Sequence, residues 1–156
     1  MHILSATTGS IGDIEEAVDF EQTPAEVVIL SAADSDLACL VRAQTMKSAE
    51  LPSLRLANLT QLSHNLSVDI YCEKIIAHAH LIIVRLIGGV SYWSYGLEQL
   101  HRIARENDAK LIVVPGDDKV DPHLMSFSTM PLDINNKCWL YLLNGGVDNA
   151  LNLLKY

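Results

Sequence analysis

A chain of 156 residues, 49% of them apolar and 19% charged, has enough apolar material for one folded domain and too little length for two. Its 19 acidic residues outnumber 11 basic ones, and a formal charge of −8 argues against a nucleic-acid partner, because no basic stripe is available to neutralise phosphates. No run approaches the roughly 18 apolar residues of a membrane span, and Met1-His2-Ile3-Leu4-Ser5 lacks the basic and apolar regions of a signal peptide, so a cytoplasmic location without a membrane partner is expected.

In chain order, His2–Ala6 is a short apolar segment that reads as a first strand, and Thr7–Gly12 as a loop of turn-forming residues. Asp13–Phe20 reads as a short helix broken at Thr23-Pro24. Val27–Leu30 is the second apolar run. Asp34 then fits a helix N-cap, with Asp36 in the first turn where a carboxylate favours the helix dipole. Leu37, Leu40 and Val41 supply the apolar face of that helix, which Pro52 stops, and Ser53–Asn58 is a third strand. From Ser67 as N-cap, Val68, Tyr71, Cys72, Ile75, Ile76 and Ala79 recur at helical spacing.

The next stretch organises the chain. Leu81–Ile87 is apolar except for Arg85, rich in β-branched residues and stopped by Gly88-Gly89, as a strand buried on both faces would be. Tyr92, Trp93 and Tyr95 follow at once, three of the nine aromatic residues in the chain, and lead into a helix reaching Asn107 with Trp93, Leu97, Leu100 and Ala104 on one face. Lys110–Val114 is a fifth strand, ended by Pro115-Gly116-Asp117-Asp118. Asp121–Ser126 and Asn135–Asn144 read as helices, Gly145-Gly146 interrupts, and Val147–Tyr156 begins another helical pattern that has no stop signal. Five strands alternating with helices predict a three-layer, flavodoxin-like (Rossmann-like) α/β domain over 1–118, with a parallel sheet in the order 2-1-3-4-5. Residues 119–156 would then form a helical segment leading onward.

Among the chemistry-bearing residues, Gly88-Gly89 is not the glycine pattern of a dinucleotide fold, and no phosphate loop occurs. The pair serves either a tight strand-to-helix turn or the close approach of backbone to a ligand. Arg85, in an apolar strand, requires a carboxylate partner, either within the protein or on a ligand. Trp93 shares a helical register with Leu97, which suits the core, whereas Tyr92 and Tyr95 cannot both share that face and suit a flat ligand. Asp117-Asp118 after a strand would hold a cation or a hydroxyl, or cap the turn. His78-x-His80 has poor geometry for a closed metal site, and His64 stands alone in a polar loop. Cys39, Cys72 and Cys138 show no Cys-x-x-Cys spacing and read as small buried residues.

The run Arg85-Leu86-Ile87-Gly88-Gly89-Val90-Ser91-Tyr92-Trp93-Ser94-Tyr95-Gly96-Leu97-Glu98-Gln99-Leu100 resembles a signature of the CobN family, the large subunits of the aerobic, ATP-dependent cobaltochelatase. Leu30–Leu37, Leu54–Leu59, Ser67–Tyr71, Val114–Asp118, Ser128-Thr129 and Gly145-Gly146 with Asn149 resemble the same family in the same order, with Ser94 standing where proline is expected. The magnesium chelatase large subunits belong to the same superfamily, and the resemblance of the Tyr-Trp-x-Tyr-Gly form points to the cobalt enzymes. The resemblance implies an N-terminal part of a much longer subunit that inserts cobalt into hydrogenobyrinic acid a,c-diamide in cobalamin biosynthesis. ATP would be hydrolysed by the partner subunits CobS and CobT, with no cofactor bound by this chain and no catalytic residue within it. Carried onto this sequence, the resemblance makes Arg85, Gly88, Gly89, Tyr92, Trp93 and Tyr95 substrate-binding candidates, with His64, Asp117 and Asp118 as further polar contacts. Two alternatives stand beside it: a scaffold or docking domain that touches no ligand, and a stand-alone flavodoxin-like ligand-binding module.

Overall fold

The computed structural model describes residues 22, 24–47, 53–117, 119 and 121–144. The strand expected at His2–Ala6, the helix at Asp13–Phe20, the stop at Pro52, Asp118 and the segment Val147–Tyr156 lie outside the described residues.

Among the described residues four runs become strands: β1 (Val27–Ser31), β2 (Leu54–Asn58), β3 (Leu81–Leu86) and β4 (Lys110–Pro115). All neighbouring pairs are parallel, in the order β2-β1-β3-β4. The expected order placed the Val27 strand at an edge and the Ser53–Asn58 strand beside the Leu81 strand. Instead Val27–Ser31 sits between them, with Ile29 opposite Leu56 on one side and Ile83 on the other. Burial explains the correction. Every residue of β1 is buried, whereas β2 has Arg55, Leu56 and Asn58 partly exposed, so the uniformly apolar strand takes the interior position and the mixed one the edge.

Successive strand residues point to opposite faces, and two apolar clusters result. Val28, Leu30, Ile82, Val84, Leu111 and Val113 pack against α2 (Asn65–Lys74) and α3 (Ser94–Asn107) through Val68, Tyr71, Leu97, Leu100 and Ala104. Val27, Ile29, Ile83, Ile112 and Val114 pack against α1 (Asp34–Lys47) and α5 (Leu132–Asn144) through Leu40, Ala43, Cys138, Trp139 and Leu142. A short helix, α4 (Pro122–Met125), adds Leu124 to the first cluster and Met125 to the second.

The start of α2 departs from expectation. His64, not Ser67, is the cap, and its Nδ1 accepts from the Leu66 amide at 3.1 Å while Ser67 is fully buried within the helix. Helix α3 is preceded by a 3-10 turn at Val90–Tyr92, so Trp93 stands just before the helix and not in its register. It ends where Asp108 turns left-handed at φ 57°, its amide returning to the Ala104 carbonyl. The outer edge of β4 is covered by a crossing segment. Thr129 Oγ1 accepts from the Leu111 amide (2.9 Å), Ser128 Oγ accepts from the Val113 amide (2.8 Å), and the Thr129 amide donates to the Leu111 carbonyl (2.8 Å). These bonds satisfy groups that would otherwise invite another strand. Cys72 and Cys138 are buried as expected, but Cys39 is only half-buried.

Candidate functional site

In open parallel sheets, ligand crevices form beyond the carboxyl ends of the strands, at the point where the chain reverses its direction of travel across the sheet. Here that point lies between β1 and β3, and the protein's own side chains fill it. Arg85, paired in register with Ser31, directs its buried guanidinium to Asp36 at the first turn of α1, with Nη1 2.8 Å from Oδ1 and 2.9 Å from Oδ2. Ser31 Oγ donates to the same carboxylate at 2.9 Å. Arg85 also donates to three backbone carbonyls: Pro115 (3.3 Å), Gly116 (3.2 Å) and Leu142 (3.0 Å). The carboxylate partner that Arg85 requires is therefore Asp36, and its donors are engaged inside the protein.

An open crevice lies one strand further along, between the ends of β3 and β4. It has a volume of about 240 Å³ and is lined by Leu86, Gly88, Gly89, Pro115, Asp117, Lys119 and Asp121. Both glycines have positive φ, 99° and 84°, which explains the residue type. A Cβ on Gly88 would lie 3.3 Å from the Tyr92 ring, and one on Gly89 would lie 3.5 Å from Asp121 Oδ2. The absent side chains thus leave bare backbone at the wall, with the largely exposed Tyr92 ring beside it. On the opposite wall, Gly116 is held by its amide to the Leu86 carbonyl (2.8 Å), and Asp117 Oδ1 accepts from the Lys119 amide (3.0 Å). Asp121 Oδ1 caps α4 through the Leu124 amide (3.1 Å). The indole of Trp139, on α5, donates to the Asp117 carbonyl at 3.0 Å.

The site residues named from sequence separate into two groups. Gly88, Gly89 and Asp117 line this crevice, and the Tyr92 ring lies against Gly88. Trp93 turns to the other side, buried, with Nε1 donating to the Leu62 carbonyl at 2.9 Å, and its indole occupies the space a side chain on Gly96 would need. Tyr95 reaches α2, its hydroxyl donating to Asp69 Oδ1 at 2.7 Å, a bond that holds the phenol pKa above its ordinary value. His64 caps α2. Lys119 and Asp121 escaped the sequence reading. The expected order already sets the Leu81 and Lys110 strands side by side, as the structure has them, and adjacent parallel strands make their following loops share one wall; that rule, carried beyond Asp117, is the signal that points to Lys119 and Asp121.

A second, larger groove of about 400 Å³ runs along α2 and α3 past Asp69, Cys72, Glu73, Arg102 and Glu106. It lies on the flank of the molecule, Arg102 is tied to Gln99 and Glu106, and burial pushes the Cys72 thiol up to about 12. Asp69, Arg102 and Glu106 are already paired there and the Cys72 thiol is protonated, so the crevice is the better candidate. Among the described residues no group of three or more His, Cys, Asp or Glu side chains is placed to hold a metal ion, and no helix is long and apolar enough to cross a membrane.

Comparison with known proteins now decides the relationship. The chain is 46% identical over its whole length to the aerobic cobaltochelatase subunit CobN of a Sinorhizobium species, and 44% identical over 96% of its length to that of Pseudomonas aeruginosa. It is a homologue of part of CobN. The chain spans about 12% of the length of each of these relatives. The catalytic subunit of cobaltochelatase from Mycobacterium tuberculosis superposes with a TM-score of 0.63 over 85% of this chain and 10% of that one, at 27% identity. No family model matches the sequence. The segment Arg85–Leu100 that resembles CobN runs from the buried ion pair through the crevice wall into α3.

Proposed function

We propose that this chain is the α/β portion, N-terminal in position, of a cobaltochelatase large subunit, and that its β3–β4 crevice grips the periphery of the tetrapyrrole into which cobalt is inserted. The observation that carries this reading is the bare Gly88-Gly89 backbone beside an exposed Tyr92 ring, in a crevice also lined by Lys119, Asp117 and Asp121. A volume of about 240 Å³ is below the several hundred Å³ of an ordinary cofactor pocket, so the crevice suits the side arms of a macrocycle and not the ring itself. Hydrogenobyrinic acid a,c-diamide carries both kinds of arm the lining can recognise. Carboxylate arms suit Lys119 and the glycine amides, and carboxamide N–H groups suit Asp117 and Asp121. Tyr92 supplies a flat surface at the rim for the edge of the macrocycle. Arg85 serves this site by holding the Pro115-Gly116 wall. Cobalt enters as the cargo of the complete enzyme, whose ATP-driven step belongs to the CobS and CobT partners.

A scaffold reading is favoured by one observation: Arg85, Trp93 and Tyr95 are all engaged internally. The two readings separate in a full-length CobN subunit assayed for cobalt insertion with its partners. If the crevice grips substrate, Tyr92→Ala and Lys119→Ala raise the KM for the diamide with little change in kcat. If the segment is a scaffold, both variants leave KM at the wild-type value.

A further inference from the structure

We propose that Trp139 and Arg85 are positioning residues that tie the crevice wall to helix α5, so that the shape of the wall follows the seating of that helix. The wall between Pro115 and Asp117 contributes three consecutive carbonyls, and each accepts from a side chain lying outside the loop. Arg85 holds those of Pro115 and Gly116, and the Trp139 indole holds that of Asp117. Trp139 is a residue of α5. Arg85 reaches the same helix, because its Nη1 donates to the Leu142 carbonyl at 3.0 Å. Trp139 and Leu142 are both buried on the face of α5 that meets the sheet, one turn apart, so the two ties act on one rigid element.

Geometry makes the loop dependent on these bonds. The Gly116 amide reaches back to Leu86, but among the described residues the carbonyl side of the wall is held by Arg85 and Trp139 alone. Asp117 then orients the Lys119 amide through Oδ1, which passes the placement on to the lysine that lines the crevice. A displacement of α5 therefore breaks the Asp117 tie and strains the guanidinium's share between Leu142 and Gly116 together. The inference concerns the coupling of helix and wall, and stands whether or not the crevice takes a tetrapyrrole.

The test is residue-resolved amide exchange on the 156-residue chain. Trp139→Phe deletes the N–H donor together with the pyrrole part of the buried indole, and Trp93→Phe, which makes the same change of volume at another site, is its control. Loss of one hydrogen bond corresponds to about fivefold faster exchange at Gly116 and Lys119. The amides of Leu66 and Val68 on the far side should stay at wild-type rates. Trp93→Phe, which deletes the matching indole bond to Leu62, should give the opposite pattern. The double variant Arg85→Met with Asp36→Leu removes the ion pair without stranding either charge, and should accelerate Gly116 and the last turn of α5 together. Uniform acceleration throughout the sheet in Trp139→Phe, matched by an equal loss of global stability in urea, would make Trp139 an ordinary core residue. Unchanged exchange at Gly116 and Lys119 would equally overturn the proposal.

Discussion

Replacing Asp36 with leucine removes a carboxylate that accepts from Arg85 and from Ser31, and leaves a guanidinium whose side chain is 9% exposed without its counter-charge. Stranding one member of a buried pair costs about 3–5 kcal/mol. In a chain of this size each kcal/mol corresponds to about 2–4 °C, so the midpoint of thermal unfolding should fall by about 6–20 °C. Arg85→Met should cost at least as much, because Pro115, Gly116 and Leu142 lose a donor along with Asp36. Combining the two substitutions strands no charge. The double variant should therefore lie no lower than Arg85→Met, giving a coupling energy of about 3 kcal/mol or more in a double-mutant cycle. Urea unfolding of the four proteins, with equal m-values as the check on two-state behaviour, measures it. Additivity within about 0.5 kcal/mol would refute the pairing as the energetic centre of the strand ends.

Four further outcomes follow from the same geometry. Gly88→Ala should destabilise by about 1–2 kcal/mol, since φ of 99° is strained for alanine and the new methyl meets Tyr92; pairing it with Tyr92→Ala should restore only the steric part, as read by urea unfolding. Ser128→Ala combined with Thr129→Val should cost about 2 kcal/mol by loss of two bonds to β4, and should raise the tendency to aggregate seen by light scattering. Burial pushes the Cys138 thiol up to about 11 and Cys72 to about 12, so at neutral pH an alkylating reagent should label Cys39 first. Both folded pKa values lie above the ordinary thiol value of 9.0, so the unfolded chain releases these protons first. Stability should be flat in this respect below pH 9 and decline between pH 9 and about 12, in urea titrations compared with Cys72→Ala and Cys138→Ala.

Elements with strong local patterns were legible before any coordinates. The β-branched runs at Val27 and Leu81 and the face Leu97, Leu100 and Ala104 of α3 are local properties, and each is where the pattern places it, whereas Trp93 falls just before the helix. Arg85 announced its need for a carboxylate because a guanidinium in an apolar strand is costly alone. Its partner was not legible. Asp36 lies 49 residues away and its position in a first turn already had a sufficient local reading as a dipole-complementing carboxylate. The expected order is right in setting the Leu81 strand beside the Lys110 strand and wrong for the Val27 and Ser53–Asn58 strands, since periodicity specifies that a segment is a strand and not which neighbour it pairs with. His64 was passed over as a cap because Ser67 is the commoner capping type and the helix begins earlier than its apolar face. The crevice is half visible in the sequence: Gly88, Gly89, Tyr92 and Asp117 carry composition signals, whereas Lys119 and Asp121 carry none of their own and reach the crevice through the path of the loop after β4.

The most direct test of the central claim is a titration of the 156-residue chain with hydrogenobyrinic acid a,c-diamide, followed by tryptophan emission. Trp139 touches the crevice wall through Asp117, whereas Trp93 is turned towards Leu62. Occupation of the crevice predicts saturable quenching that persists in Trp93→Phe, is lost in Trp139→Phe and weakens about tenfold in Lys119→Ala, the loss expected for one charge-assisted hydrogen bond. A flat titration of the folded chain, or quenching indifferent to Lys119, would contradict it.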